Sequence, residues 1–474
     1  PYLRKFGCYT VPDFIGTRYG GNLSRLLAVI VLTVASFTYV TAQINATGTI
    51  ASVALDIPFQ YAVYVGLVSI LLCSMLGGMR GVTWTQVAQY IVLIIAYLLP
   101  VFWISNKMGA GFFPHFMLAD EVARIADLEA QFGLGTVTNS AADLATVPKG
   151  LAGITKAHSA VNATPWAFIS LALAMMMGTA SLPHVMMRYF TTPSVKAARK
   201  SVGWSLFFIF LLYSSAPMLA TLSKLSLIDP ALPTGIIGKS IAEVQAIDWY
   251  QNWNQANLMF ISDFNGNGTL ELNEFFMGGK AVVLATPEIA GLPYVISGLV
   301  AAGGMAAAMS TADGLILAIA NAISHDVYYK IIDPKAETAK RLVVARVLLV
   351  VIGFAGATIA ALEIQGILGS VIWAFDFAMS GLFFPLVLGV WWKRANKEGA
   401  IAGMFLGLVS GAAYLVWVRT GGSGFLGITQ LTFGIFGSAV SLVAMVVVSL
   451  MTSAPNAATQ KMVDEVRVPS GKSI

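Results

Sequence analysis

Twelve consecutive residues, Asp263-Phe264-Asn265-Gly266-Asn267-Gly268-Thr269-Leu270-Glu271-Leu272-Asn273-Glu274, set oxygen-bearing side chains at alternate positions around a glycine turn. The spacing matches the EF-hand calcium loop D-x-[DN]-x-[DN]-G-x5-E. Asp263, Asn265 and Asn267 would supply side-chain oxygens, Thr269 its carbonyl, Glu271 a contact through water, and Glu274 both carboxylate oxygens. Asn at two of these positions lowers the charge, so the expected affinity is weak, roughly 10⁻⁴–10⁻³ M. The competing reading is an Asn/Gly-rich turn with chance spacing. Residues 247–262, with Trp249, Trp253 and Leu258, offer an entering helix, but no second, paired hand follows.

A second group of chemically capable residues sits inside apolar runs. Sodium is a hard cation that takes oxygen ligands, and Ser310 and Thr311 place two hydroxyls side by side in such a run. A hydroxyl there costs free energy unless it is bonded, either to a cation or back to the carbonyl four residues earlier. Asp313 follows Ser310 by three residues and faces nearly the same way on a helix. Asp376 lies in Trp373-Ala374-Phe375-Asp376-Phe377, ahead of Ser380, Gly381 and Pro385. Pro385 cannot donate to a helix ladder, so a broken helix is expected there. An ionisable group within a membrane span is a functional-site hypothesis by default.

The elements that hold these residues follow from composition. The chain has 474 residues, 57% hydrophobic and 11% charged, with a mean hydropathy of +0.76. Soluble domains carry about 25% charged residues, so the bilayer must act as solvent for most of this surface. Apolar runs near 25–48, 58–77, 84–106, 165–187, 201–223, 289–323, 342–362, 366–392, 399–418 and 425–451 predict ten transmembrane helices in an all-α polytopic membrane protein. The run 289–323 exceeds one straight span and is rich in Gly and Ala, which allow close helix contacts in lipid. Segments 1–26, 78–83, 188–200, 324–346, 393–398 and 452–474 hold 20 of the 28 Lys and Arg, and the intervening set (107–164, 224–288, 419–424) holds 8. The positive-inside rule makes the first set cytoplasmic. The outside loop 107–164 is expected to be helical from Asp120 to Phe132, and the polar tail 452–474 to be disordered. The net charge of +5 follows this topology and describes no nucleic-acid face. Cys8 and Cys73 lie in different environments, which predicts no disulfide. No Cys/His cluster, nucleophile motif or phosphate loop points to an enzyme, and no protein partner is evident.

Five segments resemble one known pattern, that of the sodium:solute symporter family. They are Leu3-Arg4-Lys5-Phe6-Gly7 with Tyr9-Thr10-Val11-Pro12-Asp13-Phe14, Gly77 to Gln86, Leu182 to Phe190 with Ala197-Arg199-Lys200-Ser201, Ala306 to Gly314, and Trp391 to Ala400. They cover nearly the whole chain, in order, and are most similar to the acetate and monocarboxylate branch. The resemblance implies a LeuT-like inverted-repeat core. Residues 1–392 would be core helices 3–10, starting at the end of core helix 2 and lacking the first helix. Residues 393–451 would be two peripheral spans and 452–474 a cytoplasmic tail. On that frame the chain as it stands is expected not to transport, whereas a full-length parent would.

The resemblance also assigns roles. Ala307 (through its carbonyl), Ser310 and Thr311 match half of the family's central Na⁺ site. Members with a second sodium site carry Asp where this chain has Gln86, and a hydroxyl where it has Asp313. The carboxylate is therefore expected to have crossed the helix interface and to hold a cation or proton, the alternative being a structural bond between Asp313 and Gln86. Asp376 would bind a proton or act in gating beside the substrate, or be a structural carboxylate near the outer end of its span. No span holds Lys or Arg for an anionic substrate, and Arg188 is read as an interfacial anchor. Gln43 and Asn45, near Thr38 and Tyr39, and Thr179 and Ser181 are the candidate substrate-binding donors. The expected activity is Na⁺-coupled symport of a small organic anion such as acetate, in a bacterial inner membrane, with Ca²⁺ clamping the outside loop. The alternatives are proton coupling, another substrate such as an amino acid or sugar, or a transporter-like sensor, for which the tail offers no signalling domain.

Overall fold

In the computed structural model, which describes residues 1–109, 111, 113–132 and 165–468, helices dominate. Segments in lipid must satisfy each backbone N–H and C=O internally. Short helices α1 (Tyr2–Phe6) and α2 (Val11–Tyr19) lead into α3 (Asn22–Leu55) and α4 (Phe59–Lys107). Then come α5 (Leu118–Gln131), the pair α6 (Pro165–Ser181) and α7 (Pro183–Phe190), and α8 (Val195–Ile228). A segment outside the bundle holds α9 (Ile241–Gln245), α10 (Asp248–Gln255), strands β1 (Met259–Ile261) and β2 (Phe275–Met277), and α11 (Val282–Ile289). The bundle resumes with α12 (Tyr294–Asn321), α13 (Thr338–Ala361), α14 (Ile367–Ala378), α15 (Phe384–Trp391), α16 (Lys397–Arg419) and α17 (Phe433–Met451), followed by α18 (Ala457–Arg467).

Among the described residues, eight helices are long and apolar enough to cross a membrane, or nine with α6–α7 taken as one bent span. The expected run 58–77 forms an apolar helix, Phe59–Met75, shorter than the about 20 residues a span needs. The breaks have local causes. Gly78 adopts φ 50, ψ −159 inside α4, a conformation open to glycine. Pro183 holds Leu182 extended (φ −67, ψ 118), and α6 and α7 bend by 42° there. Ahead of Pro385, Met379–Phe383 form a π-helical turn, where the sequence predicts a break. Within the run 289–323, Ile289 ends α11 and residues 294–323 belong to one longer helix: α12 continues through π-helical Ala322–Ile332, giving 39 residues from Tyr294 to Ile332.

Small residues set the tight contacts between α3, α4 and α12. A Cβ on Gly303 would lie 2.4 Å from the Ala96 Cβ, one on Gly48 2.6 Å from Val63, and one on Gly66 2.5 Å from Thr47. Such close backbones are how helices pack in lipid, where apolar burial gives little driving force.

The outside segments form a cap with its own apolar core. Ile125 and Leu128 of α5, Leu225, Leu227 and Ile228 of α8, Trp253 of α10, Phe275 of β2 and Ala285 of α11 are packed together. Arg124–Asp229 and Lys224–Glu129 ion pairs fasten α5 to the end of α8. The helix expected over Asp120–Phe132 is α5; residues 133–164 of that loop lie outside the described residues.

The tail departs from the disordered segment expected. Asn456 caps α18 by accepting the Thr459 N–H at 2.8 Å. Val463 and Val466 are buried, and Asp464 pairs with Lys393 at 2.7 Å. Two valines at i, i+3 give one face enough apolar area to dock a helix that polar composition had concealed. Cys8 and Cys73 are free thiols.

Candidate functional site

The residues that could hold Na⁺ lie midway along α12. Ser310 Oγ donates to the Ala307 carbonyl at 2.8 Å, and Thr311 Oγ1 lies 3.4 Å from the same oxygen. One carbonyl and two hydroxyls therefore converge on one patch of α12, an oxygen set suited to a hard monovalent cation. The back-bonds are also what lets the hydroxyls persist in an apolar helix.

The surroundings correct two expectations. Gln86 does not bond Asp313; its Nε2 donates to the Ser310 carbonyl. Asp313 is fully buried and its Oδ1 accepts from Ser74 Oγ at 3.0 Å. Arg188, expected as an interfacial anchor, reaches across to α12. The bend at Pro183 swings α7 against α12, and Arg188 Nη2 comes 2.7 Å from where a Gly314 Cβ would be. Neither displacement is visible in sequence, because both depend on the helix kink and on the register between α4 and α12.

Asp376 is fully buried on α14. Its oxygens accept no well-formed hydrogen bond, but the carboxylate faces the Phe433 and Gly434 N–H groups that open α17. A helix N-terminus carries free N–H groups and partial positive charge, which suits a carboxylate in apolar surroundings. This is the structural alternative weighed for Asp376, and it sets the residue at the α14–α17 contact.

The expected substrate donors are not brought into one cluster. Gln43 and Asn45 are buried on α3, and Asn45 Oδ1 has no hydrogen-bond partner. Asn45 lines a cavity of about 280 Å³ with Thr38, Thr41, Trp373 and Phe377. Thr179 and Ser181 bond back to carbonyls of their own helix, Thr179 to Met175 and Ser181 to Met177 and Gly178. Tyr39 meets other elements: its ring centroid is 5.5 Å from His184 and 5.8 Å from Phe375, joining α3, α7 and α14.

Sequence reasoning missed a charged cluster at the end of α12. Ligand atoms of Asp13, His325 and Asp326 all lie within 4.8 Å of one another. Thr10 Oγ1 donates to Asp326 Oδ2 at 2.6 Å. Arg25 stands near both carboxylates, 3.3 Å from Asp13 Oδ1 and 3.6 Å from Asp326 Oδ1, an internal cation shared by the two acids. The cluster joins α2, the start of α3 and the end of α12. Asp326 was hidden in a segment read only for its basic residues.

On the outside, Asp263 Oδ1 accepts from Gly266 N–H at 2.7 Å and Oδ2 from Gly268 N–H at 3.0 Å. Asn265 Oδ1 and Asn267 Oδ1 accept from the N–H groups of Asn267 and Thr269. Glu274 is fully buried and accepts from Phe264 and Glu271 N–H, each at 3.0 Å. Glu271 Oε1 accepts from the Asn265 and Asn267 amides. The paired hand missing from the sequence has a stand-in. Residues 238–241 bond along the loop, Gly238 N–H to Leu270 O and Leu270 N–H to Lys239 O, both at 2.8 Å. The entering helix is α10, whose Trp249, Asn252 and Trp253 line a cavity of about 740 Å³ beside Glu288 and Tyr294 at the outer end of α12.

Comparison with known proteins gives one consistent result. The model of the sodium:solute symporter family matches residues 1–232 and 280–407. The interruption, 233–279, contains the outside loop and its hairpin. An uncharacterized symporter of Cupriavidus necator is 36% identical over 95% of this chain and 79% of that protein. A monocarboxylic acid transporter of Corynebacterium glutamicum is 27% identical over 89% of this chain and 68% of its own length. Among solved structures, a substrate-bound, outward-open Na⁺-coupled sialic acid symporter shares the fold. Its TM-score is 0.63 at 16% identity, covering 96% of this chain and 80% of that one.

Proposed function

The chain belongs to the sodium:solute symporter family, whose members couple solute transport to Na⁺, and from that premise we propose that it imports a small monocarboxylate, acetate being the simplest, together with Na⁺ across a bacterial inner membrane. The observation that carries the coupling is the convergence of the Ala307 carbonyl with the Ser310 and Thr311 hydroxyls. The substrate class is supported by the monocarboxylic acid transporter relative. Asn45, with an unpartnered buried oxygen, Gln43 and the Tyr39–His184–Phe375 contact are the polar and aromatic groups offered to a small solute.

Uptake of radiolabelled acetate by the full-length protein in proteoliposomes, under an imposed Na⁺ gradient with and without a pH gradient, tests this reading. Accumulation that requires Na⁺ supports it. A response to pH alone moves the coupling to a proton. Absence of acetate uptake, with another solute carried, refutes the substrate assignment.

A calcium role for the outside loop rests on the spacing of Asp263, Asn265, Asn267 and Glu274, whose oxygens are held along the loop by its own N–H groups. A bound Ca²⁺ would stiffen the hairpin beside α10 and so the outer wall of the 740 Å³ cavity. If millimolar Ca²⁺ leaves protease nicking of 263–274 unchanged, this role is wrong.

A further inference from the structure

Asp313 is a buried carboxylate whose Oδ2 has no hydrogen-bond partner. Its polar contact is Ser74, and the Arg188 guanidinium approaches the next residue of the helix, Gly314. Arg188 Nη1 is likewise buried without a hydrogen-bond partner. Between them lies Gly314. A Cβ there would come 2.7 Å from Arg188 Nη2, and Gln86 Nε2 lies 3.7 Å from the same point. Gly314 sits in regular α-helix, so its missing side chain provides room, and the guanidinium occupies that room.

Two lone buried charges are each prohibitive in an apolar bundle, whereas a pair is tolerable. Asp313 also shares α12 with the oxygens of Ala307, Ser310 and Thr311, Ser310 standing one turn away. A fixed negative charge there draws in a sodium ion, and a fixed positive charge opposes it. We propose that Arg188 is the standing counter-cation of Asp313, admitted by the absent side chain at Gly314, and that the balance between the two sets how strongly the neighbouring oxygens hold Na⁺. The second half of this proposal rests on the Na⁺-coupled reading above; the pairing does not. Arg188 is thus a positioning residue on α7 that reports to the coupling site on α12.

The experiment is a double-mutant cycle on the full-length protein, read in two ways. The first is the Na⁺ concentration giving half-maximal uptake in proteoliposomes. Arg188→Gln leaves Asp313 uncompensated and lowers it by about fivefold or more, the size of a modest coupling between sites. Asp313→Asn raises it by a similar factor, and the double variant returns close to the parent value. Gly314→Ala displaces the guanidinium and shifts it in the same direction as Arg188→Gln. Gly298→Ala, on the same helix with open space around its would-be Cβ, leaves it unchanged, and Arg188→Lys retains most of the parent behaviour. The second readout is thermal unfolding in Na⁺-free buffer, where each single substitution lowers Tm and the double lowers it by less than their sum. Strictly additive Tm losses overturn the pairing. Single variants that shift Na⁺ activation in the same direction overturn its control of Na⁺. Should parent uptake ignore Na⁺ altogether, the coupling reading falls while the unfolding cycle still decides the pair.

Discussion

Replacing Asp326 by Asn should loosen the joined ends of three helices, α2, α3 and the extension of α12. Asp326 is fully buried, receives the Thr10 hydroxyl at 2.6 Å and lies 3.6 Å from Arg25 Nε. Removing one partner of a buried ion pair costs 3–5 kcal/mol when the other charge is left alone. Here Arg25 keeps Asp13 at 3.3 Å, and an amide oxygen can still accept from Thr10, so about 2 kcal/mol is the expected loss. These contacts exist only while α2, α3 and the end of α12 are together. The loss therefore raises the population with those ends apart by about 30-fold. Cys8, half-buried beside Asp13, reports on this. Burial and then the Asp13 carboxylate push its thiol pKa up, so little reactive thiolate is present near neutral pH and labelling is slow. Maleimide labelling of Cys8 in inside-out vesicles, with Cys73 replaced by Ser, should accelerate by about the population factor in Asp326→Asn. Thr10→Ala should give a smaller change in the same direction. An unchanged labelling rate in Asp326→Asn would refute the latch.

Other substitutions test the packing. A Cβ at Gly407 would lie 2.1 Å from the Ser380 carbonyl and 2.7 Å from the Ser441 Cβ, so Gly407→Ala should cost about 1–3 kcal/mol, seen as a lower Tm in detergent. Val463→Asp should undock α18 and expose it to protease, whereas Asp464→Ala, which loses only the exposed pairs with Lys393 and Arg467, should shift stability by less than about 1 kcal/mol. Burial raises the Glu288 pKa, offset in part by the Trp253 indole bond. A raised folded pKa means stability present at acidic pH and lost as pH climbs through that pKa. The outer cap should accordingly be firmer just below the normal carboxylate range than at neutral pH, a difference that Trp253 fluorescence during urea unfolding detects and that Glu288→Gln removes.

Most of the spans and the break ahead of Pro385 were legible because each has a local sign, a long apolar run or Pro385 after Gly381, whereas the bends at Gly78 and Pro183 were not read from the sequence. Ser310, Thr311 and the metal-motif loop could be picked out because their spacing along one element is itself informative. Pairings between elements were not. Ser74 to Asp313, Gln86 to the Ser310 carbonyl, and Arg188 to Gly314 depend on helix register and a 42° bend. Hydrophobic periodicity cannot supply these, since α4 and α12 are apolar on nearly every face. The turn at 238–240 escaped notice for a similar reason: it bonds to Leu270 and Thr269 through backbone groups, so its side chains carry no mark of it.

The unbroken run from Tyr294 to Ile332 has a mechanical consequence. From Ser310 to Asp326 is roughly 24 Å at the helical rise. If the rod pivots at the coupling oxygens, a tilt of about 10° carries Asp326 sideways by about 4 Å over that arm. That exceeds the 3.6 Å now separating it from Arg25. Under that pivot the helix is a lever whose long arm ends in the Arg25–Asp326 ion pair, so a rotation too small to repack the middle of α12 suffices to part the contact at the tip.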